Sequence, residues 1–187
     1  HSTSRRQRQM CIRDRYDNHL SIMGVKVLGD GALGSRGSAL LEDYSDDPGN
    51  RGSYRFTDEE IYNVMSLAYN NGYQIAYHAI GDGANHQVLN TYERLLKENP
   101  REDPRLRIEH FQVVTPEDID RALELGILTA MQFTHATSDL SMAEDRLGPE
   151  RIQTAYAWRT VLDKGGIIIG GSDAPVEMVN PLSLIHI

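Results

Sequence analysis

Two short apolar runs in this chain end on a histidine: Tyr73-Gln74-Ile75-Ala76-Tyr77-His78 and Arg105-Leu106-Arg107-Ile108-Glu109-His110. A third, residues 166–173, ends on Asp173, and a fourth, Gly24-Val25-Lys26-Val27-Leu28, carries a lysine. Runs of this length read as buried strands, and a polar side chain at the C-terminal tip of a parallel strand is how α/β barrels assemble active sites. Neutral imidazole is the commonest protein ligand for zinc and similar metals. His78 and His110 therefore read as metal ligands. Asp173 reads as a ligand that can also accept a proton from an attacking water. Lys26, if neutral, can react with carbon dioxide, and the two carbamate oxygens could bridge two metal ions. Each has a plainer reading: a hydrogen-bonded core histidine, a turn-capping aspartate, a lysine paired with Asp30 or reaching outward. Two histidines at equivalent places on successive strands weigh against the plainer one.

The polar run 132–139 follows a strand and contains His135, expected at the mouth of the site as a catalytic-site residue in contact with substrate. Asp30 and Arg36, in the glycine-rich stretch after the first strand, are expected to hold substrate too. His86 inside a helix, His19 near the start, and Glu109, on the opposite side of its strand from His110, read as structural.

The elements between these residues repeat. Thr57-Asp58-Glu59-Glu60 predicts a capping box, with a helix running to Asn70-Asn71-Gly72. Asp82 is expected to cap a helix that stops at Asn99-Pro100. Thr115-Pro116 opens another, which Gly126 ends. Ile127 to Met131 reads as a strand, Pro149 to Lys164 as one helix, and Gly166 to Asp173 as the last strand. The connection from Gly29 to Gly52 is long and without elements of its own, which predicts a lid or binding loop. About five strands alternating with helices predict an α/β fold, and polar residues at strand tips favour a barrel over an open sheet. The absence of a glycine-rich phosphate fingerprint after the first strand weighs against nucleotide binding.

The two ends read differently from the rest. Residues 5–15 back-translate in order into the adapter used in transposon-based DNA library preparation, and residues 182–187 into the reverse complement of its transposon end. The expectation is that 1–15 and 182–187 are adapter-derived, and that 16–181 is an internal piece of a longer gene. The whole chain has 19 basic and 27 acidic residues. Setting aside Arg5, Arg6, Arg8, Arg13, Arg15 and Asp14 leaves 14 and 26, a net charge of −12. Such acidity argues against nucleic acid or an anionic membrane as partner and leaves a small-molecule substrate. Cys11, the one cysteine, falls in the adapter-like stretch, so no disulfide or thiolate chemistry is expected. No apolar run approaches the roughly 18 residues a membrane span needs. A cytoplasmic location is expected, with a signal peptide left open because the native start would lie upstream.

The motifs Val-Lys-Val-Leu-Gly-Asp-Gly-Ala-Leu-Gly-Ser-Arg, Tyr-His-Ala-Ile-Gly-Asp-Gly-Ala, Arg-Ile-Glu-His-Phe-Gln and Gly-Ser-Asp-Ala-Pro-Val, in this order from Gly24 to Pro181, resemble the metal-dependent amidohydrolase superfamily. Within it they look like the branch that includes N-substituted formamide deformylase. The resemblance implies a partial TIM (β/α)8 barrel, approximately strands four to eight with their helices, holding one or two divalent metals, zinc foremost. It implies that His78 and His110 are the ligands from strands five and six, that Asp173 is the strand-eight aspartate, and that Lys26 matches the lysine carboxylated in many members. The family's His-x-His pair would lie upstream of Tyr16. Gln132-Phe133 departs from the Gln-Pro common in the family, which bears on the local loop shape.

These readings converge on a metal-dependent hydrolase of non-peptide, amide-like carbon–nitrogen bonds. A mononuclear deaminase or cyclic amidase of the same superfamily is the alternative among enzymes. A metal-free binding or regulatory barrel is the alternative from another class, and the intact Lys26, His78, His110 and Asp173 argue against it. The 187-residue chain by itself, with exposed strand edges, is expected neither to fold stably nor to catalyse.

Overall fold

The computed structural model describes residues 14–15 and 20–179. His19, Cys11, the adapter-like stretches 1–13 and 182–187, and Pro181 lie outside the described residues. Strands β1 (Asp14–Arg15) and β2 (Leu20–Ser21) form a short antiparallel pair. The main sheet has five strands, β3 (Gly24–Leu28), β4 (Gln74–Ala79), β5 (Arg107–His110), β6 (Leu128–Met131) and β7 (Ile168–Gly170), hydrogen-bonded in that order. Every pairing is parallel and joins neighbours in sequence. A doubly wound sheet would reverse its direction of travel at a switch point. None occurs here, so the sheet is an arc of a (β/α)8 barrel.

Helices α1 (Asp58–Asn70), α2 (Asp82–Glu98) and α3 (Pro116–Glu124) make the first three crossovers. Thr57 closes the expected capping box with Glu60, and Thr115 accepts the Asp118 amide at 3.2 Å with Pro116 in the first turn. Because side chains alternate along a strand, each sheet face has its own composition. One face, with Val27, Ile75, Tyr77, Ile108 and Met131, is buried against Ile61, Met65, Tyr69, Val88, Leu89, Tyr92, Ile119 and Val161. The other is polar: Lys26, Ala76 and Arg107 stand in one row, and Leu28, His78 and Glu109 in the next.

Several expectations are corrected. Asp82 does not cap α2; Gly81 is the N-cap, and the Asp82 carboxylate accepts the amides of Leu41 and Gly83, each at 2.9 Å. The run 132–139 is no loop but contains helix α4 (Phe133–Ser138), where Phe133 packs edge-on to Trp158 at 5.0 Å. A single helix over 149–164 does not form. Instead α5 (Ala143–Arg151) leads through a 3-10 turn, Ile152–Thr154, to α6 (Trp158–Asp163). Gly148, at φ +77°, breaks helical geometry inside α5, and Ala155 is extended, so no continuous ladder spans the stretch. The last strand is three residues long and stops short of Asp173.

The connection after β3 has a core of its own. Leu33, Leu40 and Tyr44 are buried against Ile80, Val113, Ala143, Leu147 and Ala155. Its backbone closes on itself through Leu40 N–H to Arg51 O and Tyr44 N–H to Asn50 O, both at 2.8 Å. This packed strap lies across the C-terminal ends of β4 and β5.

Candidate active site

His78, the fifth residue of β4, faces the polar side of the sheet in register with Glu109. His110 belongs by alternation to the other side, because its register partner is Ala79. Two consecutive left-handed residues, His110 at φ +78° and Phe111 at +46°, turn the chain at the end of β5 and bring its ring to His78. The ring centroids are 4.4 Å apart, edge to face, and His135 stacks on His110 at 5.7 Å. Left-handed backbone at non-glycine residues is costly and persists where the surroundings enforce it, often at functional sites. Asp173 is also left-handed, at φ +51°.

All four residues line one cavity of about 250 Å³, closed by Leu33 and Gly34 of the strap, Ile80, and Val176 and Glu177 after β7. His110 is 6% exposed. Burial, with His78, His135 and Lys26 nearby, holds its pKa down to about 3, so the ring is neutral and keeps a lone pair free for a ligand bond. Nδ1 of His110, Nε2 of His78 and Nε2 of His135 are buried without a hydrogen-bond partner. Gln132 lies beside His110 and opposes this depression, yet its Oε1 and the His110 Nδ1 stay outside hydrogen-bond geometry. Three imidazoles on a shared cavity, with Nδ1 of His110 and Nε2 of His135 unpartnered, fit a metal, while Nε2 of His78 stands 3.2 Å from the Asp30 carboxylate. Among the described residues no group of three or more His, Cys, Asp or Glu is placed to hold a metal ion, so the fit covers at most part of a coordination set.

Lys26 is level with Ala76, two residues below His78 and thus roughly 6–7 Å down the strand, within reach of a lysine side chain. It pairs with Glu109 at 4.0 Å and not with Asp30. Its pKa is lowered by burial, while Glu109 and Asp173 oppose the shift. Glu109, read from the sequence as facing away from the site, is on the same sheet face as Lys26 and His78 and also pairs with Arg107.

Asp30 and Arg36, expected at the substrate, both have partners within the protein. Asp30 is 1% exposed, and its carboxylate accepts the backbone amides of Ala39 at 3.0 Å, Ile80 at 3.1 Å and Gly81 at 2.8 Å. It anchors the strap to the end of β4. Arg36 is clamped two-pronged on Asp46, at 2.9 and 3.1 Å, and does not line the cavity. The same Asp46 pairs with Arg146 of α5, so this cluster ties the strap down. His86, read as structural, bridges α2 to Asp118 of α3 at 2.9 Å.

The structure adds residues that sequence reasoning left unassigned. Asp139, on the cavity wall, accepts the Tyr156 hydroxyl at 2.6 Å and the Gln112 amide at 3.0 Å. Gln112 lies two residues after His110 inside a quoted motif, which was a usable signal. Tyr156, in what reads as mid-helix sequence, offered none.

A family model described as the amidohydrolase family matches residues 3–186. The chain belongs to the amidohydrolase family. YtcJ of Bacillus subtilis (strain 168), whose name marks it provisionally as an amidohydrolase, is 42% identical over 158 residues, covering 84% of this chain. The Arabidopsis thaliana protein LONG AFTER FAR-RED 3 is 36% identical over 168 residues, covering 89%. The chain spans 29% of the length of each of these relatives. A solved structure of an uncharacterized metal-dependent hydrolase from Pyrococcus furiosus superposes with a TM-score of 0.81 at 30% identity, over 98% of this chain and 37% of that one. The amidohydrolase arc seen here is thus shared with a metal-dependent hydrolase. Among the described residues no helix is long and apolar enough to cross a membrane.

Proposed function

We propose that this chain forms part of a metal-dependent hydrolase acting on amide-like carbon–nitrogen bonds of small molecules outside peptides. The observation that carries the reading is the meeting of His78 and His110 at 4.4 Å, with Nδ1 of His110 unpartnered, on a cavity that Asp173 also lines. A divalent ion held there, zinc by preference for imidazole donors, would polarise the scissile carbonyl and lower the pKa of a water. Asp173 accepts the proton of the attacking water and passes it to the leaving nitrogen. His135, stacked on His110 at the far wall, contacts the substrate. Lys26, carboxylated, would add two oxygen donors from below His78. A cavity of about 250 Å³ suits a substrate of modest size.

The test is Asp173→Asn in the intact enzyme of which this chain forms part, with metal content and turnover read together. Turnover should fall by about 10²–10⁴ while metal is retained. Full activity in that variant would sink the proton-transfer role. A substrate panel of N-acylated amines, dipeptides and aminated heterocycles separates the bond classes.

A further inference from the structure

We propose that Asp30 is the positioning residue of His78: its buried carboxylate holds the Nε2 edge of the ring, so that Nδ1 is the nitrogen offered to the cavity. The functional consequence rests on the hydrolase reading; the ring orientation rests on geometry alone.

Three amides from two separate segments, Ala39 in the strap and Ile80 and Gly81 after β4, fix the carboxylate at 2.8–3.1 Å. A carboxylate offers about four acceptor sites. Oδ1, which takes only the Ile80 amide, lies 3.2 Å from Nε2 of His78. The present angle is outside hydrogen-bond geometry, and Nε2 has no other partner and no access to solvent. Among the described residues Nδ1 takes no hydrogen bond, and the ring lines the cavity.

A neutral imidazole carries one N–H. Placed on Nε2, that hydrogen satisfies a buried nitrogen and a buried oxygen together. Placed on Nδ1, it leaves a lone pair facing a carboxylate at 3.2 Å with no water to screen it. The first arrangement wins, and it frees Nδ1 as a donor whose basicity the carboxylate raises. Asp30 is held from both sides and cannot follow the ring, so it sets the ring's direction as well as its tautomer.

The experiment reads the ring nitrogen shifts of His78 by NMR in the metal-stripped full chain, assigned by their loss in His78→Gln, alongside Zn²⁺ affinity. Wild type should be protonated at Nε2 and bare at Nδ1. Asp30→Asn should mix the tautomers and weaken Zn²⁺ binding by about 10–100-fold. Asp82→Asn is the control, because Asp82 holds the same strap through Leu41 at 2.9 Å without touching His78. It should change stability and leave the tautomer and Zn²⁺ affinity alone. A wild-type ring protonated at Nδ1, or equal Zn²⁺ losses in the two variants, overturns the proposal. If Asp30→Asn does not fold, the wild-type tautomer decides. Wild type that takes up no Zn²⁺ would sink the hydrolase reading and leave the ring assignment standing.

Discussion

Gly81→Ala isolates the seam between strap and barrel. Gly81 has φ −75° and ψ 153°, a conformation open to any residue, so alanine there carries no backbone strain. The obstacle is space. An added Cβ would lie 2.6 Å from the carbonyl carbon of Ala39 and 2.9 Å from its nitrogen, and nearer still to its oxygen. Normal contact needs about 3.4 Å or more, and both partners are backbone, so the strap must lift by roughly 1 Å. That shift stretches four hydrogen bonds: Ala39 N–H and Gly81 N–H to Asp30, and Gly83 N–H and Ala84 N–H to Ala39 O. Two are charge-assisted, worth about 1.5–3 kcal/mol each, and two are ordinary, worth about 1 kcal/mol each. Losing about half of this total costs about 2.5–4 kcal/mol, and for a chain of this size lowers Tm by about 10 °C. Urea unfolding and a thermal melt of the full chain measure it. Gly49→Ala serves as reference, since Gly49 has φ +89° and nothing within 4 Å of its Cβ position. It should cost only the left-handed penalty, about 1 kcal/mol. A loss below about 1 kcal/mol in Gly81→Ala would refute the claim that strap and strand end are locked together.

Two further outcomes are expected. His135→Ala should lower kcat/KM about tenfold or more, the loss of one buried polar contact, with metal content unchanged; loss of metal would make His135 a ligand instead of a substrate contact. Glu93 is held down to about 2 by hydrogen bonds from Lys97 and Arg121. A depressed carboxylate contributes stability above its unfolded pKa, here 4.5, that is lost as pH falls toward 2. Glu93→Gln should therefore flatten the acid limb of the stability curve in that window, and an unchanged limb would contradict the assignment.

The arc of barrel and the arrival of His78 and His110 at neighbouring strand ends were legible in the sequence because their signals are local. Thr57 and Glu60 are three residues apart and close their box within one turn. The apolar runs ending at His78 and His110 became adjacent parallel strands. Where alternation alone misled, the local backbone had overruled it. His110 should face away from His78 by period two, and the left-handed turn at His110 and Phe111 brings it back. The same alternation left Glu109 on the side of Lys26.

Asp30 and Arg36 show the limit most directly. Both are polar residues in a glycine-rich stretch after a strand, which reads as substrate contact. The amides that claim Asp30 come partly from about fifty residues away, and Arg36 belongs to a cluster completed by Arg146. The sequence alone determined the order of the five strands, the first three crossover helices, and the arrival of His78 and His110 at strand ends. Only the tertiary structure decided which of those side chains still have a free lone pair in the cavity, because hydrogen-bond partners are shared out by distance in space and not along the chain.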